Sequence, residues 1–212
     1  MTRLSTGIAA LDEHLGGGLL PGTLTLLVGA TGIGKTQLGL QFAHAGQQQE
    51  QHPGIIFDMT SRGDSQSQAA YAKRMFGWEL SAVRADQKPK LDDFFNAERN
   101  YGDYLHVFDY HGRRVTRNED AWRLWQSEVI SRLSVAIGFF YGNFVRGVRR
   151  AVIDGLEPAE RPGDSIQLQL FDYIYHQILR KEPDWVARDL FRVNFRKNAA
   201  EVAQHTYDPG QI

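Results

Sequence analysis

The eight residues Gly29-Ala30-Thr31-Gly32-Ile33-Gly34-Lys35-Thr36 constrain this chain more than any other segment. Their glycines let the backbone curl and turn its N–H groups inward, with no side chains blocking approach. A short apolar run over residues 24–29 leads into the loop, and residues 36–49 follow with apolar positions at Leu38, Phe42 and Ala45, a helical spacing. Strand, loop and helix in this order form the context that the G-x4-G-K-[S/T] pattern requires. The loop N–H groups and the helix N-terminus meet an anion, the lysine reaches the β- and γ-phosphates, and the hydroxyl completes a magnesium shell. We read the segment as a P-loop. Gly29, Ala30, Thr31, Gly32, Ile33, Gly34, Lys35 and Thr36 are the expected nucleotide contacts, with ATP and Mg2+ as the expected ligands.

The alternation continues downstream. His52-Pro53-Gly54 breaks the chain before a second strand at residues 55–59, and residues 65–78 carry helical spacing through Ala69, Ala72, Met75 and Phe76. The charged stretch 84–100, interrupted by Pro89, reads as a surface excursion. A third strand is expected at residues 104–110, then a long helix over 118–144 with Asn118 as its N-cap. Ala151-Val152-Ile153-Asp154 is a further apolar strand ending in a carboxylate, and a helix is expected over 164–180. Residues 184–207 fit either a short strand around Leu190-Phe191-Arg192-Val193 or helical faces, and helix is the preferred reading. Strands alternating with helices predict an α/β fold with a mostly parallel sheet flanked by helices. Asp154, at the end of its apolar strand and downstream of a P-loop, is the expected second ligand of Mg2+ beside Thr36.

Size and composition set the outer bounds. With 212 residues, 42% of them hydrophobic, the chain can bury one sizeable core, and residues 1–212 are expected to form a single ATP-binding domain. The formal net charge of -1, from 24 basic and 25 acidic residues, provides no global field for nucleic acid or an anionic membrane, so any such binding would be local. The absence of cysteine excludes disulfides, thiolate metal sites and a cysteine nucleophile. No basic-then-apolar leader is visible, and the most apolar run, 135–145, is broken by Gly138, Gly142 and Asn143. It falls short of the roughly 20 residues that span a bilayer. A cytoplasmic protein is expected.

The segment before the first strand carries a more specific signal. Leu4-Ser5-Thr6-Gly7-Ile8-Ala9-Ala10-Leu11-Asp12, then Leu15-Gly16-Gly17-Gly18-Leu19 and Gly22, resembles the RecA superfamily, particularly the KaiC and RadA-like ATPases. In those families a Thr-Gly-hydrophobic segment, a Leu-Asp pair and a glycine-rich turn precede the P-loop at similar spacing. Phe76-Gly77-Trp78 and the surroundings of Asp154 also fit. The resemblance implies a RecA-like P-loop NTPase core, ATP bound between neighbouring subunits, and homo-oligomeric rings or filaments.

One departure bears on activity. KaiC-like and RadA-like proteins usually place a glutamate or a glutamate pair after the second strand, where it polarises the attacking water. Aligning Gly54-Ile55-Ile56-Phe57 with that strand puts Thr60 and Ser61 there, and neither hydroxyl is a general base at neutral pH. Asp58 and Asp64 are the nearest carboxylates, and Asp58 is the candidate catalytic residue. ATP binding with slow hydrolysis is the expectation, in a nucleotide-dependent oligomeric switch or scaffold. A DNA recombination or repair ATPase is the first alternative, and a small-molecule kinase the second. The arginines 113, 114, 117, 146, 149 and 150 could serve phosphate contacts, but solvated charges flanking buried strands explain them better. The seven histidines show no metal-ligand spacing, and Trp122 and Trp125 read as core or interface.

Overall fold

A computed structural model describes residues 2–21, 23–30, 32–59, 67–83, 101–107, 134–156 and 172, together with the backbone of 192–196. Six strands form one sheet: β1 (Thr25–Gly29), β2 (Ile55–Asp58), β3 (Ala82–Val83), β4 (Tyr104–His106), β5 (Ala151–Leu156) and β6 (Arg192–Arg196). The spatial order is β1-β6-β5-β2-β4-β3, and every pairing is parallel.

Burial explains why β2 and β5 each open with an apolar run, Ile55-Ile56-Phe57 and Ala151-Val152-Ile153. All four residues of β2 and all six of β5 are buried, as befits central parallel strands covered on both faces. On one face, Ile56 and Val152 pack with Leu40, Phe42 and Ala43 of helix α2 (Lys35–Gln49) and Ala72 of α3 (Gln68–Phe76). On the other, Phe57 meets Phe139 edge to face at 5.1 Å, from a helical segment over 134–144. Helices α2 and α3 are joined by His44, whose ring stacks on Phe76 at 4.3 Å. Ser67 caps α3 by accepting from the Ala70 N–H, and Gly77 closes it with a left-handed φ of 64°. Both ends of this helix are therefore written in local chemistry.

The N-terminal segment is a clasp, and its hydrogen bonds explain the sequence signature. Asp12, in the short helix α1 (Ala9–His14), accepts from Ser5 Oγ at 2.5 Å, Thr6 N at 2.7 Å and Thr6 Oγ1 at 2.6 Å. Its backbone carbonyl receives the N–H groups of Gly17 and Gly18, and Leu4 pairs with Leu19 in an antiparallel bridge. Burial raises the Asp12 pKa, but the bonds from Ser5 and Thr6 and the charge of Arg150 outweigh it, and the carboxyl is held below its ordinary value.

Arg150 locks the clasp to the core. It is fully buried, grips Glu50 with two N–H···O bonds of 2.7 and 2.8 Å, and donates to the carbonyls of Ser5 and Phe42 and to the Gln49 side chain. Its guanidinium also lies over the Phe42 ring, 4.5 Å from the centroid. Gly46 and Gly54 make this possible, since a Cβ at Gly54 would lie 2.8 Å from Arg150 Cβ and one at Gly46 would lie 2.6 Å from the His52 carbonyl. Arg146 and Arg149 are also turned inward, each donating to helix-end carbonyls. The Arg146, Arg149, Arg150 cluster is thus engaged by the protein itself, while Arg113, Arg114 and Arg117 lie outside the described residues.

The expected strands at 24–29, 55–59, 104–110 and 151–154 overlap β1, β2, β4 and β5; β4 is seen over Tyr104–His106, and β5 runs on to Leu156, so Asp154 lies within its strand rather than at its end. The helix expected over 118–144 is seen over 134–144, and the excursion 84–100 and most of the helix 164–180 lie outside the described residues. The helical reading of 184–207 is corrected at its centre: residues 192–196 are a strand, β6, inserted between β1 and β5. The apolar positions of that segment fit both periods, and the pairing that decides between them is with strands far away in sequence. Among the described residues, no helix is long and apolar enough to cross a membrane.

Candidate nucleotide site

The site lies at the carboxyl ends of the strands, where ligands of open α/β sheets bind. β1 ends at Gly29 and α2 starts at Lys35, so the loop residues fill the corner between them. The three loop glycines serve different needs. A Cβ at Gly29 would sit 2.2 Å from Ile33 Cδ1, so a side chain there would require the exposed Ile33 side chain to turn away. Gly32 and Gly34 have φ of 86° and 95°, a backbone conformation that other residues adopt only with strain. A Cβ at Gly32 would meet nothing within 4 Å.

Helix α2 begins without a capping side chain and without an acidic residue in its first turn. Its first N–H groups and the positive end of its dipole are therefore available to an anion. Lys35 is buried, and its ammonium lies at the loop, donating to the carbonyls of Gly29 at 2.8 Å and Ala30 at 2.6 Å. Next to it, Thr36 Oγ1 donates to Asp154 Oδ2 at 2.9 Å, joining residues 118 apart in sequence. A hydroxyl and a buried carboxylate beside the glycine loop are hard oxygen donors of the kind that magnesium takes, so the residues present fit both ATP and Mg2+. Thr31 lies outside the described residues.

Two further carboxylate neighbours complete the arrangement. Asp58 ends β2 in direct register with Asp154 on β5, and both are 1% exposed. The Tyr104 hydroxyl, from β4, donates to Asp58 Oδ2 and lies 3.2 Å from Gln68 Oε1. Burial, the Asp58 charge with its hydrogen bond, and the Asp154 charge all push the Tyr104 hydroxyl far above its ordinary pKa, so it stays a donor. Gln68 Nε2 in turn donates to Asp154 Oδ2 at 3.0 Å. Thr36, Asp154, Gln68, Tyr104 and Asp58 form one connected polar chain at the strand ends. Thr60, Ser61 and Asp64 lie outside the described residues.

Sequence reading brought Lys35, Thr36, Asp58 and Asp154 to attention and missed Gln68 and Tyr104. Tyr104 reads as an ordinary strand aromatic. Gln68 gives one faint signal, an uncharged polar residue opening the helix that follows a largely apolar strand.

A parallel sheet with a glycine loop between its first strand and first long helix, and a hydroxyl–carboxylate pair at its mouth, defines the class of P-loop nucleotide-binding α/β proteins. The comparison with known sequences narrows this. The KaiC ATPase family matches residues 4–120, more than half of the chain. The protein belongs to that family, within the RecA superfamily, and nucleotide binding is the family's property. It is similar to the circadian clock protein KaiC2 of Synechocystis sp., 31% identical over 97 residues, covering 45% of this chain and 16% of the relative. It is also similar to the DNA repair protein RadA of Mycobacterium tuberculosis, 56% identical over 39 residues, covering 18% of this chain and 8% of RadA. A KaiC-like protein of Pyrococcus horikoshii overlays on 92% of this chain and 72% of its own, with a TM-score of 0.47 and 20% identity. The matched stretches thus span less than a fifth of the KaiC2 and RadA chains.

Proposed function

We propose that this protein binds ATP with Mg2+ at residues 29–36 and works as a nucleotide-dependent oligomeric switch or scaffold that turns ATP over slowly. The observation that carries the reading is the Thr36–Asp154 hydrogen bond at the mouth of the loop, which unites the two expected magnesium ligands across the sheet. The loop and α2 N–H groups would hold the phosphates, Lys35 would move from its loop carbonyls to the β- and γ-oxygens, and Thr36 with Asp154 would hold the metal. Magnesium in that position neutralises charge on the terminal phosphates.

Slow turnover follows from the carboxylate that is left for the base. By resemblance the usual glutamates are replaced by Thr60 and Ser61, which makes Asp58 the candidate. Asp58 is buried and already accepts a hydrogen bond from Tyr104. A base must be within one hydrogen bond of the attacking water, and a carboxylate spent on a buried phenol is poorly placed for that.

Calorimetric titration with ATP and MgCl2, together with steady-state phosphate release, tests both parts. We expect saturable binding and turnover far below that of active RecA-like ATPases. A fast rate that Lys35→Ala abolishes would overturn the slow-turnover part, and no binding at millimolar ATP would overturn the whole reading. Light scattering with and without ATP tests the assembly part, which predicts a larger particle when ATP is bound.

A further inference from the structure

The polar chain linking Asp154 to Asp58 contains two members that the motifs do not account for, Tyr104 and Gln68, and Gln68 is the one that touches the expected metal ligand. Gln68 is the first residue of α3 and is 2% exposed. Burying a primary amide is unfavourable unless its donors and acceptor find partners. Here Nε2 donates to Asp154 Oδ2, the oxygen that also accepts from Thr36 Oγ1, and Oε1 faces the Tyr104 hydroxyl. We propose that Gln68 is a positioning residue for the metal site, holding the Asp154 carboxylate in the rotation that Mg2+ requires and tying α3 to that carboxylate. This rests on the magnesium–nucleotide reading above.

Three points support the assignment. First, two donors converge on a single oxygen of Asp154 from two different helices, at 2.9 and 3.0 Å, which fixes the carboxylate plane. Magnesium tolerates little departure from octahedral geometry, so a carboxylate free to rotate would hold it, or its bound waters, less well. Second, the orienting group is neutral. A lysine or arginine at position 68 could hold Asp154 equally firmly, but its charge would cancel the negative potential that draws the cation. Third, α3 is held at its far end against α2 by the His44–Phe76 stack, so a change at Asp154 reaches α3 from its first turn and is resisted at its last.

The experiment uses the full chain and trinitrophenyl-ATP as the fluorescent probe, titrated first in EDTA and then at fixed probe with increasing MgCl2. Gln68→Met keeps the length of the side chain and removes the amide. We expect probe affinity in EDTA to stay within about twofold of the parent, while the Mg2+ concentration for half-maximal enhancement rises about tenfold, the lower end of what outer-shell partners contribute. Tyr104→Phe leaves the Nε2–Asp154 bond in place and is expected to keep the Mg2+ midpoint within about threefold of the parent. An unchanged Mg2+ midpoint in Gln68→Met, or equal losses in EDTA and in Mg2+, would overturn the proposal, since the amide would then serve the fold alone. If Gln68→Met does not fold, the same titration on Gln68→Asn, whose amide is one methylene too short to reach Asp154, applies with the same outcomes. Failure of the parent protein to bind the probe is a separate result and strikes the nucleotide reading itself.

Discussion

The two ends of helix α2 present opposite chemistry. At its C-terminal end polar groups close on one another inside the molecule: Arg150 spends its donors on Glu50, Gln49, Ser5 and Phe42, and Gln49 holds the N-terminal clasp through the Arg3 carbonyl and the Ser5 N–H. At its N-terminal end the first turn has no cap, the loop has left-handed glycines, and a buried ammonium rests on nearby backbone carbonyls. The difference separates structure from function within one element. Where polar groups are closed on one another they specify a fold, and where they converge on space they specify a ligand.

Breaking the closed end should cost the most. Arg150→Met strands Glu50 and two backbone carbonyls, so we expect a loss of about 3–5 kcal/mol in urea unfolding, with ATP affinity of the remaining folded protein little changed. Breaking the open end should do the reverse: Lys35→Ala should weaken ATP about 100-fold in calorimetry, the loss of charge-assisted bonds worth roughly 3 kcal/mol, while the melting temperature stays close to the parent's.

The clasp gives a smaller, pH-dependent effect. Asp12→Asn should destabilise by about 1–2 kcal/mol at neutral pH, because three hydrogen bonds then lose their charged acceptor. Since the folded state depresses the Asp12 pKa, its contribution is present above the ordinary carboxylate value of 3.8 and disappears as pH falls through the folded value. Parent and variant melting curves should therefore converge under acid conditions, and a gap that persists there would show that the charge is not what matters. Gly32→Ala should give the least, roughly 1 kcal/mol of backbone strain with no steric clash, seen as a slightly lower melting temperature in the absence of nucleotide.

The same contrast governs what could be read before folding. The open end is a local pattern: glycine spacing, a lysine and a threonine in eight consecutive residues announce it, and the apolar runs of β2 and β5 announce the strands around it. Asp154 was legible as the polar end of an apolar run. The closed end depends on Arg150 meeting Glu50 and Ser5, 100 and 145 positions away, so Arg150 looked like one of several arginines before a strand. Gln68 and Tyr104 became meaningful only when the register of β2, β4 and β5 brought them beside the two aspartates. β6 failed for a related reason, because its period was ambiguous and its partners were distant.

The place of β6 in the sheet has a bearing on how this chain is born. Strand β1, with the phosphate loop at its end, and strand β5, with Asp154, are not neighbours; residues 192–196 are laid between them. On an emerging polypeptide the loop is made early and Asp154 later, yet the strand that joins β1 to the other four is the last of the six described strands to be synthesised. Such long-range closure is slow. Until it occurs, β1 stands apart from the group β5-β2-β4-β3 and both facing edges are unpaired; bound nucleotide, by drawing Thr36 and Asp154 together, would favour the finished fold.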